Sequence, residues 1–198
     1  MARFVSSPSV LIDAVWPAAS GKVVRLVALA LIGNALLYLS AKIQVPFWPV
    51  PMTMQTMVVP LIGAAYGWRL AGATVVLYLL EGAAGLPVFS GTPERGIGLA
   101  YMTGPTGGFL FGFLVAAMVV GWLAERGWDR NWLKIGAAMI AADVVVFAVG
   151  AAWLGSFVGF ARAYQLGVEP FLLGDILKIA LAVAAVQAGW WGIERRRV

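Results

Sequence analysis

Residues 107–125 read GGFLFGFLVAAMVVGWLAE, a run of eighteen residues without a charge before Glu125. A bilayer core about 30 Å thick needs ~20 apolar residues per helix, so this run predicts a membrane-spanning helix. The whole chain shares this character, since it is 62% hydrophobic and only 12% charged, with a mean hydropathy of +0.89. Water-soluble globular domains have a much more polar composition. The sequence therefore predicts an all-α membrane protein.

Five further candidate helices flank this run. Glycine, proline and charged residues separate them, and they cover residues 23–41, 54–68, 70–86, 132–154 and 171–193. The second and third are short and separated by little more than Arg69, so one long helix and five crossings in total are an alternative. A chain of 198 residues accommodates about six crossings and no soluble domain. We predict a single integral-membrane domain, residues 1–198, that begins with a cytoplasmic segment, residues 1–22.

The placement of lysine and arginine distinguishes the two counts, because cytoplasmic loops carry an excess of both. With six crossings and both termini cytoplasmic, only Lys42, Arg95 and Arg162 lie outside. The cytoplasmic basic residues are then Arg3, Lys22, Arg25, Arg69, Arg126, Arg130, Lys134, Arg195, Arg196 and Arg197. Five crossings would place the two basic termini on opposite faces, so charge favours six transmembrane helices in a bacterial inner (plasma) membrane.

This topology leaves three segments outside, residues 42–53, 87–106 and 155–170. The middle segment is the longest and is rich in glycine and proline. Irregular backbone at a membrane surface persists only where it packs on protein or lines a wet cavity. We expect outer loops that cap a pocket, with a merely solvated connection as the alternative for the middle segment.

Missing residue types exclude several chemistries. The chain has no cysteine and no histidine, which removes disulfides, thiolate and imidazole metal sites, and the commonest general base. No phosphate-binding loop of the Walker type occurs, because Gly21 and Lys22 are followed by valine. We therefore expect no metal, no cofactor and no enzymatic activity, and any energy for pumping has to come from elsewhere.

Ionisable residues within membrane segments are costly unless they are paired or hydrated. Asp175 and Lys178 lie three residues apart on one predicted helix face. They offer acceptors and donors side by side near the outer mouth, although an intrahelical ion pair has the same spacing. Glu81 reaches the same membrane level and is either functional or interfacial. Asp143 lies deeper, where a structural hydrogen bond is the favoured interpretation.

The first outer segment combines stiffness with polar groups. Its three prolines deny it a regular helix, whereas Phe47, Trp48, Thr53 and Gln55 offer aromatic faces and hydrogen-bonding groups. A rigid, partly apolar wall with a few polar groups suits a small-molecule pocket. An aromatic belt at the membrane interface is the alternative, because the chain has nine tryptophans.

Small or short residues recur at helical spacing, which allows close backbone approach. The pairs are Ala30 with Asn34, Gly63 with Gly67, Gly108 with Gly112, and Gly155 with Gly159. Internal packing explains most of them. The first helix is the best candidate for a face that docks a second membrane protein.

Four motifs in order resemble the BioY family, the biotin-binding S components of energy-coupling-factor (ECF) vitamin transporters. They are PVPMTMQT at residues 49–56, GAAGLPVFS at 82–90, GPTGGFLFGF at 104–113, and GDILK at 174–178. Their spacing covers most of the chain. One glycine-rich string would be weak evidence, but four in sequence are specific.

The resemblance implies six helices, a biotin pocket near the outer surface, and partners comprising a membrane-embedded T component and two cytoplasmic ATPases. Biotin is then the transported ligand. Asp175 and Lys178 match the polar pair that such proteins use on biotin, whereas Ala30 and Asn34 match the docking spacing only loosely. The predicted substrate-binding residues are Asp175, Lys178, Glu81, Gln55, Thr53, Trp48, Phe89 and Tyr101.

Other functions remain open from the residues alone. The chain could serve another vitamin as an S component, or work as a stand-alone ion-coupled carrier. An integral-membrane enzyme acting on a lipid or isoprenoid would use Asp143, Asp175 and Glu81 as acid or metal-binding groups. Such enzymes usually gather carboxylates in a tight motif, whereas here the three lie on separate predicted helices.

Overall fold

The computed structural model describes residues 9–17, 21–45 and 48–195. Arg3, Phe47, Arg196 and Arg197, which enter the predictions above, lie outside these ranges, as do parts of the N-terminal segment. The protein is mostly helical. Its α-helices are α1 (Leu11–Val15), α2 (Lys22–Lys42), α3 (Gln55–Ala83), α4 (Gly98–Met102), α5 (Gly107–Ala124), α6 (Trp132–Val158), α7 (Phe160–Gly167) and α8 (Leu172–Arg195).

Five helical segments of the described chain are long and apolar enough to cross a membrane. They include α2, α3, α5 and α6, and the fifth runs from α7 through α8. The sequence-based boundaries agree with the observed ones to within four residues at most ends. The largest difference concerns α3, which covers two of the predicted helices.

Helix α3 reverses direction at Gly67. This residue has φ 76° and ψ 167°, a conformation essentially restricted to glycine. A straight helix would separate Gln55 from Tyr78 by about 35 Å, yet Gln55 Nε2 donates to Tyr78 Oη at 3.0 Å. Residues 55–66 and 68–83 are therefore two antiparallel helices, which we call the α3 hairpin. The observed reversal at Gly67 lies two residues before the break predicted at Arg69.

Glycines let the α3 hairpin pack closely on its neighbours. A Cβ atom at Gly63 would lie 2.6 Å from the Ala117 carbonyl oxygen of α5, and one at Gly121 of α5 would lie 2.5 Å from the Trp68 nitrogen. On the other side, a Cβ atom at Gly33 of α2 would lie 2.7 Å from Thr74 Cγ2. The tip of the hairpin thus lies beside the C-terminal end of α5.

The pairing of α5 with α6 follows the same principle. Gly108 lies against Trp153, and Gly112 lies against the backbone of Val146. The internal-packing interpretation of these small residues is confirmed. Gly159 has a different role. It lies between α6 and α7, and its φ of 83° ends the first helix before the second begins.

The outer segments contain short elements of their own. Strands β1 (Gln44–Val45) and β2 (Met52–Thr53) pair antiparallel, and α4 lies within the middle segment. Residues 155–170 were predicted to be an outer loop, but α6 continues to Val158 and the amphipathic α7 follows it. Proline and glycine mark the loop ends in this region, but they do not reveal a short helix between them.

The middle outer segment, residues 87–106, is fastened across one end of the bundle. Lys42 Nζ donates to the carbonyl oxygens of Phe89 and Thr92, both at 3.1 Å. Tyr78 Oη donates to Val88 O at 2.9 Å, and Tyr101 Oη donates to Ser90 O at 2.7 Å. This segment packs on protein, as irregular backbone at a membrane surface must.

Candidate functional site

Asp175 and Lys178 form a buried pair on the first turns of α8. Their exposed fractions are 1% and 8%, and Lys178 Nζ lies 2.7 Å from Asp175 Oδ1. The same ammonium donates to Thr53 O at 2.7 Å and to Thr56 Oγ1 at 3.1 Å. All three ammonium hydrogens of Lys178 therefore have acceptors, and two of these come from the start of α3 and the strand before it.

Asp175 is less completely satisfied. Its Oδ1 accepts from Lys178 and from Thr56 Oγ1 at 2.8 Å. Its Oδ2 is buried and has no hydrogen-bond partner among the described residues. An unpaired buried carboxylate oxygen costs free energy, so this atom is an available acceptor for an N–H or O–H group of a ligand.

Thr53 and Gln55 connect this pair to the α3 hairpin. The Gln55 backbone N–H donates to Thr53 Oγ1 at 3.2 Å, and the Gln55 side chain donates to Tyr78. Both residues are buried, with exposed fractions of 8% and 2%. They line a small inner cavity of about 40 Å³ together with Ser90, Tyr101, Phe109 and Phe113.

A larger cavity opens beyond the inner one. It measures about 400 Å³ and is lined by Trp48, Pro49, Arg95, Tyr101, Thr106 and neighbouring residues. Tyr101 and Thr106 line both cavities. Burial raises the pKa of Tyr101, so its hydroxyl stays protonated at neutral pH and can donate to Ser90. The outer cavity supplies the cation Arg95, whose Nη1 donates to Pro49 O at 3.3 Å.

The predicted site residues separate into two groups. Six of them form the pair or line one of the cavities. Asp175 and Lys178 are the pair, Thr53 contacts Lys178 and lines the inner cavity, and the other cavity-lining residues are Gln55, Trp48 and Tyr101. Phe89 is fully buried between Tyr78 and Tyr101, with ring centroids 5.3 and 5.1 Å away. It anchors the middle outer segment. Glu81 is half-buried near the end of α3 and does not line either cavity.

Asp143 of α6 is half-buried. Its charge lies near enough to interact with Asp175 and Lys178. Helices α6 and α8 thus bring a second carboxylate within electrostatic range of the pair, a proximity that no local sequence pattern reports.

Several site residues escaped the sequence predictions. Thr56 bridges Asp175 and Lys178, Ser90 contacts Gln44 and lines the inner cavity, and Thr106 lines both cavities. Thr56 ends the motif at residues 49–56, so that motif contained the signal. Ser90 ends the motif at residues 82–90 and Thr106 lies in the motif at residues 104–113, so the motifs contained these residues too, although only the folding of these segments brings their side chains to the cavities.

The two residues predicted to dock a partner differ in accessibility. Ala30 is half-buried, whereas Asn34 is 5% exposed and faces the bundle. The exposed face of α2 is instead apolar and includes Val23, Val27 and Leu31. Any partner that docks on α2 from the membrane meets this face first.

Comparison with known proteins places this geometry in a family. A protein from Pyrococcus horikoshii named as a probable biotin transporter BioY is 38% identical over 162 residues, which cover 82% of this chain and 92% of that protein. The biotin transporter BioY of Thermotoga maritima is 36% identical over 150 residues, covering 75% of this chain and 86% of that one.

The fold also matches a solved structure. The crystal structure of the S-component for biotin from an ECF-type ABC transporter superposes with a TM-score of 0.74 at 23% identity. The match covers 84% of this chain and 91% of the other. A sequence model of the BioY family matches residues 12–195. This chain belongs to the BioY family.

Proposed function

We propose that this protein is the biotin-binding S component of an ECF-type uptake transporter and captures biotin at the outer face of the plasma membrane. The names of the relatives support the ligand, and the unpartnered Oδ2 of Asp175 carries the proposal at the level of the site. Biotin has a ureido group that donates two N–H groups, and a buried carboxylate is a strong acceptor for them.

Lys178 holds Asp175 in position in this arrangement. All three of its hydrogens already have acceptors, so it orients the carboxylate and ties α8 to Thr53 and Thr56. With biotin as the ligand that the resemblance implies, Lys178 is one candidate cation for its carboxylate. The geometry favours Arg95 for that role, because Arg95 is the cation that lines the outer cavity.

The volumes of the two cavities limit where biotin can bind. Pockets for ligands of this size usually measure about 300–1,000 Å³, so the outer cavity of about 400 Å³ fits and the inner one of about 40 Å³ does not. Asp175 lines neither cavity, so biotin reaches it only when the outer segments shift, the two cavities merge, and the merged space extends past Thr53, which contacts Lys178. Tyr101 and Thr106 form the boundary that has to move.

Asp175→Asn and Lys178→Met are expected to weaken biotin binding strongly, because each leaves a buried partner unsatisfied. The expected loss is roughly 2–5 kcal/mol, or about 30-fold to several thousandfold in Kd. Titration calorimetry of the purified protein measures it, with dethiobiotin and thiamine as further ligands. Glu169→Gln and Lys134→Met, which change exposed residues of the same charge, should bind like the parent.

A neutral biotin amide separates the roles of the two cations. If Arg95 holds the carboxylate, Arg95→Gln loses affinity for biotin but little for the amide, whereas Lys178→Met loses similar amounts for both. The reverse pattern would show that Lys178, and not Arg95, binds the biotin carboxylate. Binding of thiamine in place of biotin would instead indicate an S component for another vitamin.

The partners of this subunit are, in this proposal, a membrane-embedded T component and two cytoplasmic ATPases, which supply the energy for transport. Helix α2 docks the T component. Ala30→Trp should then reduce biotin uptake by the assembled transporter while the isolated subunit still binds biotin. Loss of both activities together would indicate a folding defect and remove the support for docking. Uptake in vesicles that lack the ATPases would favour an ion-coupled carrier.

A further inference from the structure

An apolar crevice lies on the flank of the bundle, between the second half of the α3 hairpin and α5. Its volume is about 660 Å³, and its lining consists of Trp68, Val115, Met118, Val119, Trp122 and Leu123. Val115 and Trp122 are 43% and 47% exposed. The crevice is therefore open to the side, along a helix that is apolar enough to cross the membrane.

Two arginines stand at one end of this crevice. The Arg126 guanidinium lies 3.4 Å from the centroid of the Trp122 ring, and the Arg69 guanidinium lies 5.1 Å from that of Trp68. Arg126 Nη1 also donates to Trp122 O at 2.8 Å. Both guanidiniums are thereby placed over rings that form the crevice wall. This end coincides with the C-terminal end of α5 and the tip of the α3 hairpin.

We propose that this crevice, with Arg69 and Arg126, binds one anionic glycerophospholipid, with an acyl chain along the apolar wall and the phosphate between the two guanidiniums. Arginines at the end of a membrane helix attract anionic headgroups, and tryptophan rings favour the same interfacial level. A wall without polar side chains suits an acyl chain. The site is remote from Asp175, so its test is independent of biotin binding.

The local charge supports an anion rather than a zwitterion. Glu125 is exposed, and its carboxylate lies over Gly67, beside the hairpin tip. It offsets one of the two guanidiniums, which leaves a net charge of one positive unit from these three residues. A headgroup with a net negative charge is therefore preferred over one with none, provided that the phosphate lies on the side of the arginines.

Native mass spectrometry of the purified full-length chain provides the test. The probes are phosphatidylglycerol and phosphatidylcholine with identical acyl chains. A basic residue near the surface contributes ~1 kcal/mol, which corresponds to roughly fivefold in affinity for each arginine. The parent should prefer phosphatidylglycerol by this order. The combined Arg69→Gln and Arg126→Gln variant should lose this preference or favour phosphatidylcholine, because only the negative charge of Glu125 remains at the site.

Two further variants separate the crevice from general membrane charge. Arg195 lies 3.5 Å over the Trp191 ring on α8, which repeats the arginine-on-tryptophan contact on another helix. Arg195→Gln should therefore keep the preference for phosphatidylglycerol. Val115→Trp, at an exposed position on the rim, should weaken both lipids by filling the crevice, with an unchanged unfolding midpoint as the control for folding.

Three results would overturn the proposal. In the first, the variant without Arg69 and Arg126 keeps the parent's preference for phosphatidylglycerol. In the second, Arg195→Gln loses this preference to the same extent, which would show that the overall charge of the protein causes it. Glycerol 3-phosphate could displace the lipid at comparable concentration, which would identify a site for small phosphates. Biotin titration of the same variants should match the parent whichever result is obtained.

Discussion

At the scale of single residues, the Asp175 and Lys178 pair was predictable and its surroundings were not. Spacing of three residues on an apolar helix places both on one face, and the structure joins them at 2.7 Å. The partners Thr53 and Thr56 lie more than 115 residues earlier in the chain. No local pattern reports such a contact, because it arises from the packing of α8 on the start of α3.

Thr56 provides a test of this network, because a single substitution can remove its hydroxyl group and little else. Thr56→Val keeps the shape and removes the hydroxyl that accepts from Lys178 and donates to Asp175. The change removes two hydrogen bonds to charged groups, one to Asp175 and one from Lys178, and the loss of even one such bond costs about 1.5–3 kcal/mol. We expect biotin affinity to fall about tenfold to a hundredfold, as measured by calorimetry.

Thr74→Val is the matched control for this change. Thr74 lies in the same hairpin, is fully buried whereas Thr56 is half-buried, and donates only to the carbonyl of Leu70 in its own helix, at 2.8 Å. Its loss should leave biotin affinity within about twofold of the parent. Equal losses for the two variants would show that any buried hydroxyl of the hairpin matters and would remove the specific role of Thr56.

At the scale of elements, hydrophobic runs located the helices, and charge located their ends. Helix α5 was predicted as residues 107–125 and is Gly107–Ala124, and α2 was predicted as 23–41 and is Lys22–Lys42. The outer segments were less predictable. Phe89 resembled a ligand-facing aromatic residue, but it is a core residue of the bundle, because aromatic loop residues pack inward as readily as they face a pocket.

Gly67 is the residue on which the α3 hairpin depends. Its φ of 76° with ψ of 167° is accessible to glycine at little cost, and a Cβ atom there would collide with Glu125. Strain of this kind costs about 1–3 kcal/mol for other residues. Gly67→Ala should therefore lower the thermal unfolding midpoint of the purified protein, as followed by circular dichroism.

Gly136→Ala serves as the comparison for the hairpin. Gly136 is helical, and an added Cβ would meet only Val183 Cγ2, at an ordinary 3.7 Å. Alanine is favoured over glycine inside a helix by up to about 1 kcal/mol, so this variant should be as stable as the parent or more so. Equal destabilisation of both variants would refute the specific role of the positive φ.

At the scale of the whole molecule, the reversal at Gly67 bears on the number of crossings. The five long apolar segments include the α3 hairpin as one, but its two ends lie at the same end of the bundle, since Gln55 contacts Tyr78. The basic residues already favoured six crossings. A hairpin whose tip lies beside the C-terminal end of α5, a helix about 27 Å long, agrees with that count.

We predict that both termini and the hairpin tip face the cytoplasm. The chain has no native cysteine, so single replacements can be labelled with a membrane-impermeant maleimide in intact and permeabilised cells. Glu94→Cys should react from outside, whereas Ser9→Cys, Arg69→Cys and Glu194→Cys should react only after permeabilisation. These four residues are exposed in the structure, so each thiol is accessible to the reagent on its own side. If Glu194→Cys reacts from outside while Ser9→Cys reacts only after permeabilisation, the chain crosses the membrane an odd number of times. If Arg69→Cys reacts from neither side, the hairpin ends within the bilayer.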